Sequence, residues 1–157
     1  MDSIYSALKN FLLSKVNASL SEETGIQLAA FDEKHIVFGL VDITKFSGAK
    51  VIASILPERQ TLGTGNAADV VMDNEILLTV ICGGDTFENV QKKAFLYAKR
   101  IETEVFEKND WTGEIEDVRF ESAEYTFDAG PVPGQMSAVE IRLTVSTEIE
   151  TDDPFSS

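Results

Sequence analysis

The sequence predicts an α+β domain: one mostly antiparallel β-sheet, or a mixed one, packed by two main α-helices. Three observations carry that expectation. The stretch "FENVQKKAFLYAKRIETEV" places Phe87, Val90, Ala94, Ala98, Ile101 and Val105 at spacings of three and four, one face of a long helix. The stretch "AVEIRLTVS" alternates Val139, Ile141, Leu143 and Val145 with Glu140, Arg142, Thr144 and Ser146, the period of a half-buried strand. The short apolar runs "HIVFGLVDI", "AKVIASIL" and "EILLTVIC" lie between turn-forming residues, as strands do.

Taken in order, residues 2–18 read as an amphipathic helix with Ile4, Leu8, Phe11, Leu12 and Val16 on one face and Asp2 or Ser3 as its cap. Residues 19–34 read as a loop with a short element around Ile26 to Phe31. A first strand over 35–43 is expected to be covered on both faces. A second over 49–56 is ended by Pro57, and Lys45 to Gly48 joins the two as a hairpin. Residues 57–74 read as a long connection, and loops of that length tend to be functional or mobile. A third strand spans 75–82 and the long helix 86–108, with Lys92, Lys93, Lys99, Arg100, Glu102 and Glu107 on its wet side. After a turn-rich connector holding Trp111, Val118 and Phe120 lie on one parity and Ala123, Tyr125 and Phe127 on the other. That shift predicts a bulge or bend near Ser122. "DAGPVPGQ" (128–135) interrupts regular structure before the last strand. One domain is expected over 1–150, followed by a disordered acidic tail over 151–157.

The chain has 157 residues, 13 basic and 27 acidic, for a formal charge of −14. Such a charge repels nucleic acid and argues against DNA binding by the chain alone. Cys82 is the only cysteine, so no intrachain disulfide can form, and its apolar surroundings suit a small buried hydrophobe. No apolar run is long enough to span a membrane, and the first residues lack the basic start and cleavage site of a signal peptide.

"ICGGDTFENV" has the strand, glycine turn and helix of a phosphate loop. Its chemistry points elsewhere. Asp85 and Glu88 form a capping pattern that consumes the helix-start donors and repels an anion, and neither a P-loop lysine nor the G-x-G-x-x-G spacing is present. "TLGTGNAAD" (61–69) precedes a strand, whereas a dinucleotide loop follows one. His35 and Cys82 could pair as base and nucleophile only if their strands adjoin. No spacing suggests a metal site, and no cofactor is expected. The acid-rich stretch 114–128 reads as a solvated strand face, or as an acidic surface that faces DNA without gripping it.

The N-terminal amphipathic helix, the "HIVFGLVDI…AKVIASIL" pair, the strand "EILLTVIC" leading through a GG-D turn into a long helix, and the final strand "AVEIRLTVSTEIE" resemble the tail terminator and tail completion proteins of long-tailed phages. The resemblance covers roughly residues 1–150 and lies in element order and pattern; "GPVPGQ" and residues 57–74 have no residue-by-residue match. It implies a non-enzymatic structural protein of the virion, assembled in the host cytoplasm and located at the tail end or neck. Such proteins form a ring, typically a hexamer, that stops tail-tube polymerisation and offers a surface to the head connector while DNA passes through. The implied partners are copies of itself, the tail tube protein and the head-tail connector protein. Loop placement nominates Leu62, Gly63, Asn66, Val70, Val71, Pro131 and Pro133 as interface residues, with Trp111 as an aromatic anchor. Two other readings are a head-tail connector or minor tail component, and a small cytosolic enzyme or ligand-binding domain using the Cys82 and His35 region.

Overall fold

The computed structural model describes residues 2–22, 25–40, 50–63, 71–84, 86–107, 111, 115–127 and 136–148. It is the expected α+β arrangement, with a mixed sheet. Helix α1 (Asp2–Phe11) continues through a π-helical stretch (Leu12–Val16), one α-helical turn, α2 (Asn17–Ser19), and a 3-10 turn (Leu20–Glu22). Five strands follow, β1 (Ile36–Phe38), β2 (Val51–Gly63), β3 (Val71–Gly83), β4 (Ile115–Phe127) and β5 (Met136–Glu148), with the long helix α3 (Phe87–Phe106) between β3 and β4. Their spatial order is β1-β2-β3-β5-β4.

The helices cover one face of the sheet. Ile4, Leu8, Leu12 and Val16 from the N-terminal helices join Val90, Ala94, Ala98 and Ile101 from α3 over Ala53, Leu78, Val80, Val139, Ile141 and Leu143. The helical spacing read from the sequence therefore does face the core. It omitted Tyr97, which is fully buried, stacks on Phe31 at 5.2 Å and donates its hydroxyl to the Ala29 carbonyl. Asn17 holds the irregular segment before β1 in place. Its amide donates to the Phe31 carbonyl at 3.0 Å and its carbonyl accepts from the Phe31 N–H at 2.7 Å, replacing a strand ladder with one side chain.

Several expectations need correction. β1 and β2 are parallel, with Ile36 opposite Ala53, so no tight hairpin joins them. Parallel neighbours need a crossover of a dozen residues or so. The hairpin assigned to Lys45–Gly48 falls outside the described residues. The first strand is short because Gly39, at φ +94°, turns the chain away; its N–H reaches Ile55 O at 2.9 Å and its carbonyl accepts from Ser54 Oγ at 2.5 Å. It is an outer strand and not covered on both faces: Phe38 is 51% exposed and Leu40 beyond it 86%.

Pro57 does not end the second strand. β1 pairs only as far as Ile55, so among the described residues β2 has a single neighbour at Pro57, and the missing N–H is tolerated beside a register irregularity between Pro57 and Arg59. Most of the expected 57–74 loop is thus a long β2–β3 hairpin, and only residues 64–70 of it lie outside the described residues. On α3, Arg100 is buried and donates to Ser19 O at 3.4 Å, so it does not belong to the wet side. Thr144 and Ser146 are buried because β5 is a central strand, flanked by β3 and β4. The bulge is where the parity shift placed it: the β4–β5 register slips between Phe120 and Ser122.

The glycine turn is structural. Gly83 ends β3 and donates to Lys50 O at 3.0 Å, and Gly84 has φ +76°. A Cβ on Gly84 would meet Lys50 Cγ only at 3.7 Å, so backbone conformation and not space demands glycine there. The helix cap is Thr86, whose Oγ1 accepts from Asn89 N at 3.3 Å. Asp85, the cap expected from the sequence, lies outside the described residues, and Glu88 pairs with Lys92 at 3.0 Å.

Glu124 stands directly opposite Glu140 on the face without helices. Like charges in that position repel. Glu124→Lys is expected to raise unfolding stability by about 0.5 kcal/mol, read as a higher denaturant midpoint at unchanged slope; a lower midpoint would show that the repulsion is not felt.

Candidate assembly surfaces

The strands outrun the helix that covers them. A 13-residue strand extends about 40 Å and the 20-residue α3 about 30 Å. Since α3 starts beside the Gly83 end of β3 and runs back along the sheet, the far end of the β2–β3 hairpin lies beyond it. Local sequence suits this position: Glu58, Arg59, Gln60 and Thr61 offer no apolar face, so cross-strand polar pairs hold the hairpin together. Arg59 pairs with Glu75, and Gln60 Nε2 donates to Asn74 Oδ1 at 2.7 Å. Asn74 is fully buried on the helix side, and its amide reaches Val145 O at 3.0 Å and both Met72 O and Thr147 Oγ1 at 3.2 Å. On the other face Glu58 pairs with Arg142 across β3, Ser146 Oγ donates to Asp73 at 2.6 Å, and Arg119 lies 3.7 Å from Asp73.

Of the residues nominated from sequence, Leu62 sits near the hairpin tip, 70% exposed. Gly63 pairs with Val71 at the last described rung, and Val71 is buried within the chain. Trp111 is half-buried and its ring packs on Phe11 at 5.1 Å. Leu62 lies on the rung Leu62–Met72–Thr147–Ile115, and Trp111 comes four residues before the β4 member of that rung. Asn66, Val70, Pro131 and Pro133 lie outside the described residues, as does the acidic tail 151–157.

Sequence reasoning missed a second surface. α3 carries Phe95 (57% exposed) and Phe106 (73%) on a stripe separate from its core face. Phe95 packs on Tyr125 of β4 at 5.9 Å. A groove of about 400 Å³ runs between α3 and β4, floored by Ala98, Phe120, Ala123 and Tyr125 and rimmed by Lys99, Glu102 and Glu121. The apolar floor and then Glu102 push the Tyr125 phenol up. The signal was present in "KAFLYAKRIETEVF", where Phe95 and Phe106 fall eleven residues apart, three turns of helix, on a stripe about 100° round the helix from the assigned core.

The Cys82 and His35 region does not assemble a catalytic pair. His35 leads into β1 and Cys82 belongs to β3, and β2 lies between them. Cys82 is fully buried, and burial pushes its thiol up from 9.0 to about 12, with the Lys93 charge pulling weakly the other way. A thiol held neutral is neither nucleophile nor ligand at neutral pH. Among the described residues no group of three or more His, Cys, Asp or Glu side chains could hold a metal ion, and no helix is long and apolar enough to cross a membrane. The folded thiol titrates above the unfolded one. Its stabilising contribution is therefore complete below pH 9 and is lost as pH rises toward 12, at up to about 1.4 kcal/mol per pH unit. Cys82→Ala is expected to flatten the decline of stability above pH 9, measured by denaturant titration. Equal slopes in both proteins would contradict a buried neutral thiol.

No protein-family model matches the chain, and no curated protein matches it in sequence. Among solved structures it is similar to a chain of the virion of a native gene transfer agent particle, with TM-score 0.51 and 14% identity over 88% of this chain and 95% of that one. At that identity the likeness establishes a shared fold.

Proposed function

We propose that this chain is a virion assembly protein of the tail terminator type. In this reading copies form a ring on the end of a tail tube, stop its polymerisation and present the joining surface for the head connector, without catalysis. The observation that carries the reading is the fold shared with a gene transfer agent virion chain across nearly the whole length of both. The element order that resembles tail terminators in sequence supports it independently.

The charge is compatible with the role. The sheet face opposite the described helices carries Glu58, Asp73, Glu75, Asp117, Glu124 and Glu140 against Arg59, Arg119 and Arg142, and those arginines lie beside acids. Such a face lets DNA pass without the counterion release that a basic wall would obtain from it. The hairpin tip at Leu62 is the surface assigned to an axial neighbour, tube or connector.

The test is solution mass by light scattering behind a sizing column, followed by electron microscopy of tubes grown with and without the protein. The expected result is a discrete ring of six 17.3 kDa chains and tubes whose ends are capped and whose growth stops. Tubes that grow past bound protein would overturn the terminator role. Binding confined to the head connector would transfer the protein to the connector class.

A further inference from the structure

We propose that copies of this chain join head to tail through opposite edges of the sheet, with Phe38 and Leu40 at the β1 edge of one copy seated in the groove between α3 and β4 of the next. The inference rests on the ring reading and supplies its contact. Sheet order makes β1 and β4 the outermost strands among the described residues. Each edge carries exposed apolar side chains that its own chain leaves uncovered: Phe38 (51%) and Leu40 (86%) at one, Phe95 (57%) and Phe106 (73%) at the other.

Both patches lie in the helical layer. Phe38 packs edge-on against Tyr5 of α1 at 5.3 Å, and Phe95 projects from α3 over Tyr125. The projecting group and the receiving groove are thus at the same height on the two sides of one molecule, and the groove's 400 Å³ admits side chains of this size.

Charge favours the same match. β4 carries Glu116, Asp117, Glu121 and Glu124 against Arg119 alone, which disfavours pairing β4 with a second β4. Around β1, Lys9, Lys34 and Lys50 balance Asp32 and Glu33, so this flank is the less acidic partner, and Lys34 is well placed to meet Glu102 or Glu121 on the groove rim. Among the described residues no strand pairs with the outer edge of β4, which adds a backbone ladder to the contact. A contact between two unlike patches leaves each copy with one of each still free, so it repeats, and it closes into a ring when the rotation per copy allows. It also leaves the strand ends, including Leu62, for axial neighbours.

The experiment uses engineered cysteines in the full chain, where the native Cys82 is buried. Under mild oxidation the Leu40→Cys, Ala123→Cys double variant is expected to give a ladder of disulfide-linked multimers on a non-reducing gel. A mixture of the two single variants should stop at dimers, and neither single variant should link to itself. Phe95→Asp, at an exposed position, should keep the native circular dichroism spectrum and weaken self-association about 30-fold or more. A ladder from the double variant supports the contact whether or not the unmodified protein is already a ring. Dimers from Leu40→Cys alone would mean a two-fold contact and overturn the proposal. A wild-type ring with no ladder, or one that survives Phe95→Asp unchanged, would overturn this edge contact while leaving the ring reading intact. A monomer that gives no ladder would overturn the contact and leave ring formation to depend on the tube end.

Discussion

Asn74→Ala is expected to lower unfolding stability by about 3 kcal/mol, which in a chain of this size is about 6–12 °C in melting temperature. The side chain is fully buried and joins three strands. Its amide serves Met72 O, Val145 O and Thr147 Oγ1, and its carbonyl accepts from Gln60. Removing it strands buried acceptors that cannot turn to water, and each costs about 1–3 kcal/mol. Context separates this cost from simple loss of volume. In a Thr147→Val background, Asn74→Leu leaves fewer polar groups unpaired, so it is expected to be markedly milder than Asn74→Ala alone. If both variants lose the same stability, the network contributes nothing beyond packing. The consequence is local as well as global. Asn74 ties the β2–β3 hairpin to β5, so its loss should appear first as faster amide exchange in residues 58–63 and 71–75.

Legibility followed how strongly one face of each element is buried. α3 and β5 were readable because Val90, Ala94, Ile101 and Val139, Ile141, Leu143 pack into one core, which imposes a period on the sequence. The bulge in β4 was readable for the same reason: Val118 and Phe120 before it and Ala123 and Tyr125 after it all pack on that core, so the inserted residue shows as a change of parity. The outer half of the β2–β3 hairpin was not readable. Glu58 to Thr61 are exposed, and Asp73, Asn74 and Glu75 opposite them are polar too, although Asn74 is fully buried on the helix side. Ion pairs and the Asn74 network hold them, and these interactions leave no hydrophobic period. Pro57 reinforced the misreading, since a proline ends a strand only where its N–H is needed by a neighbour. The parallel pairing of β1 was hidden because a short apolar strand has the same composition in either direction.

The candidate surfaces follow the same logic. Leu62 is nominated by its place in an expected loop; the structure puts it in β2 instead, at an exposed position. Trp111 was offered as an anchor, but an aromatic residue in a connector serves the chain's own core equally well, and its ring lies on Phe11. The α3–β4 groove requires knowing that β4 sits at an edge, a fact of topology that no local pattern carries.

Leu62→Asp is expected to abolish end-capping while leaving the fold intact, on the reading proposed above. The side chain is 70% exposed near the last described rung of the β2–β3 pairing, opposite Met72, and it makes no contribution to the buried core. A charge there costs the folded monomer little, within about 0.5 kcal/mol, as surface substitutions do. At an interface the same charge must be desolvated, and loss of an apolar anchor at the centre of a contact weakens binding about 30-fold or more. Sedimentation of the variant with tail tubes, beside its melting curve and its solution mass, separates the possibilities. An unchanged melt and unchanged self-association with lost tube binding is the expected pattern, since Leu62 lies at the strand ends while the proposed copy-to-copy contact uses the sheet edges. Loss of self-association would place Leu62 between copies and not against the tube. Full tube binding at wild-type affinity would remove the hairpin tip from the axial interface and turn the search to the opposite strand ends, beside the Gly84 turn.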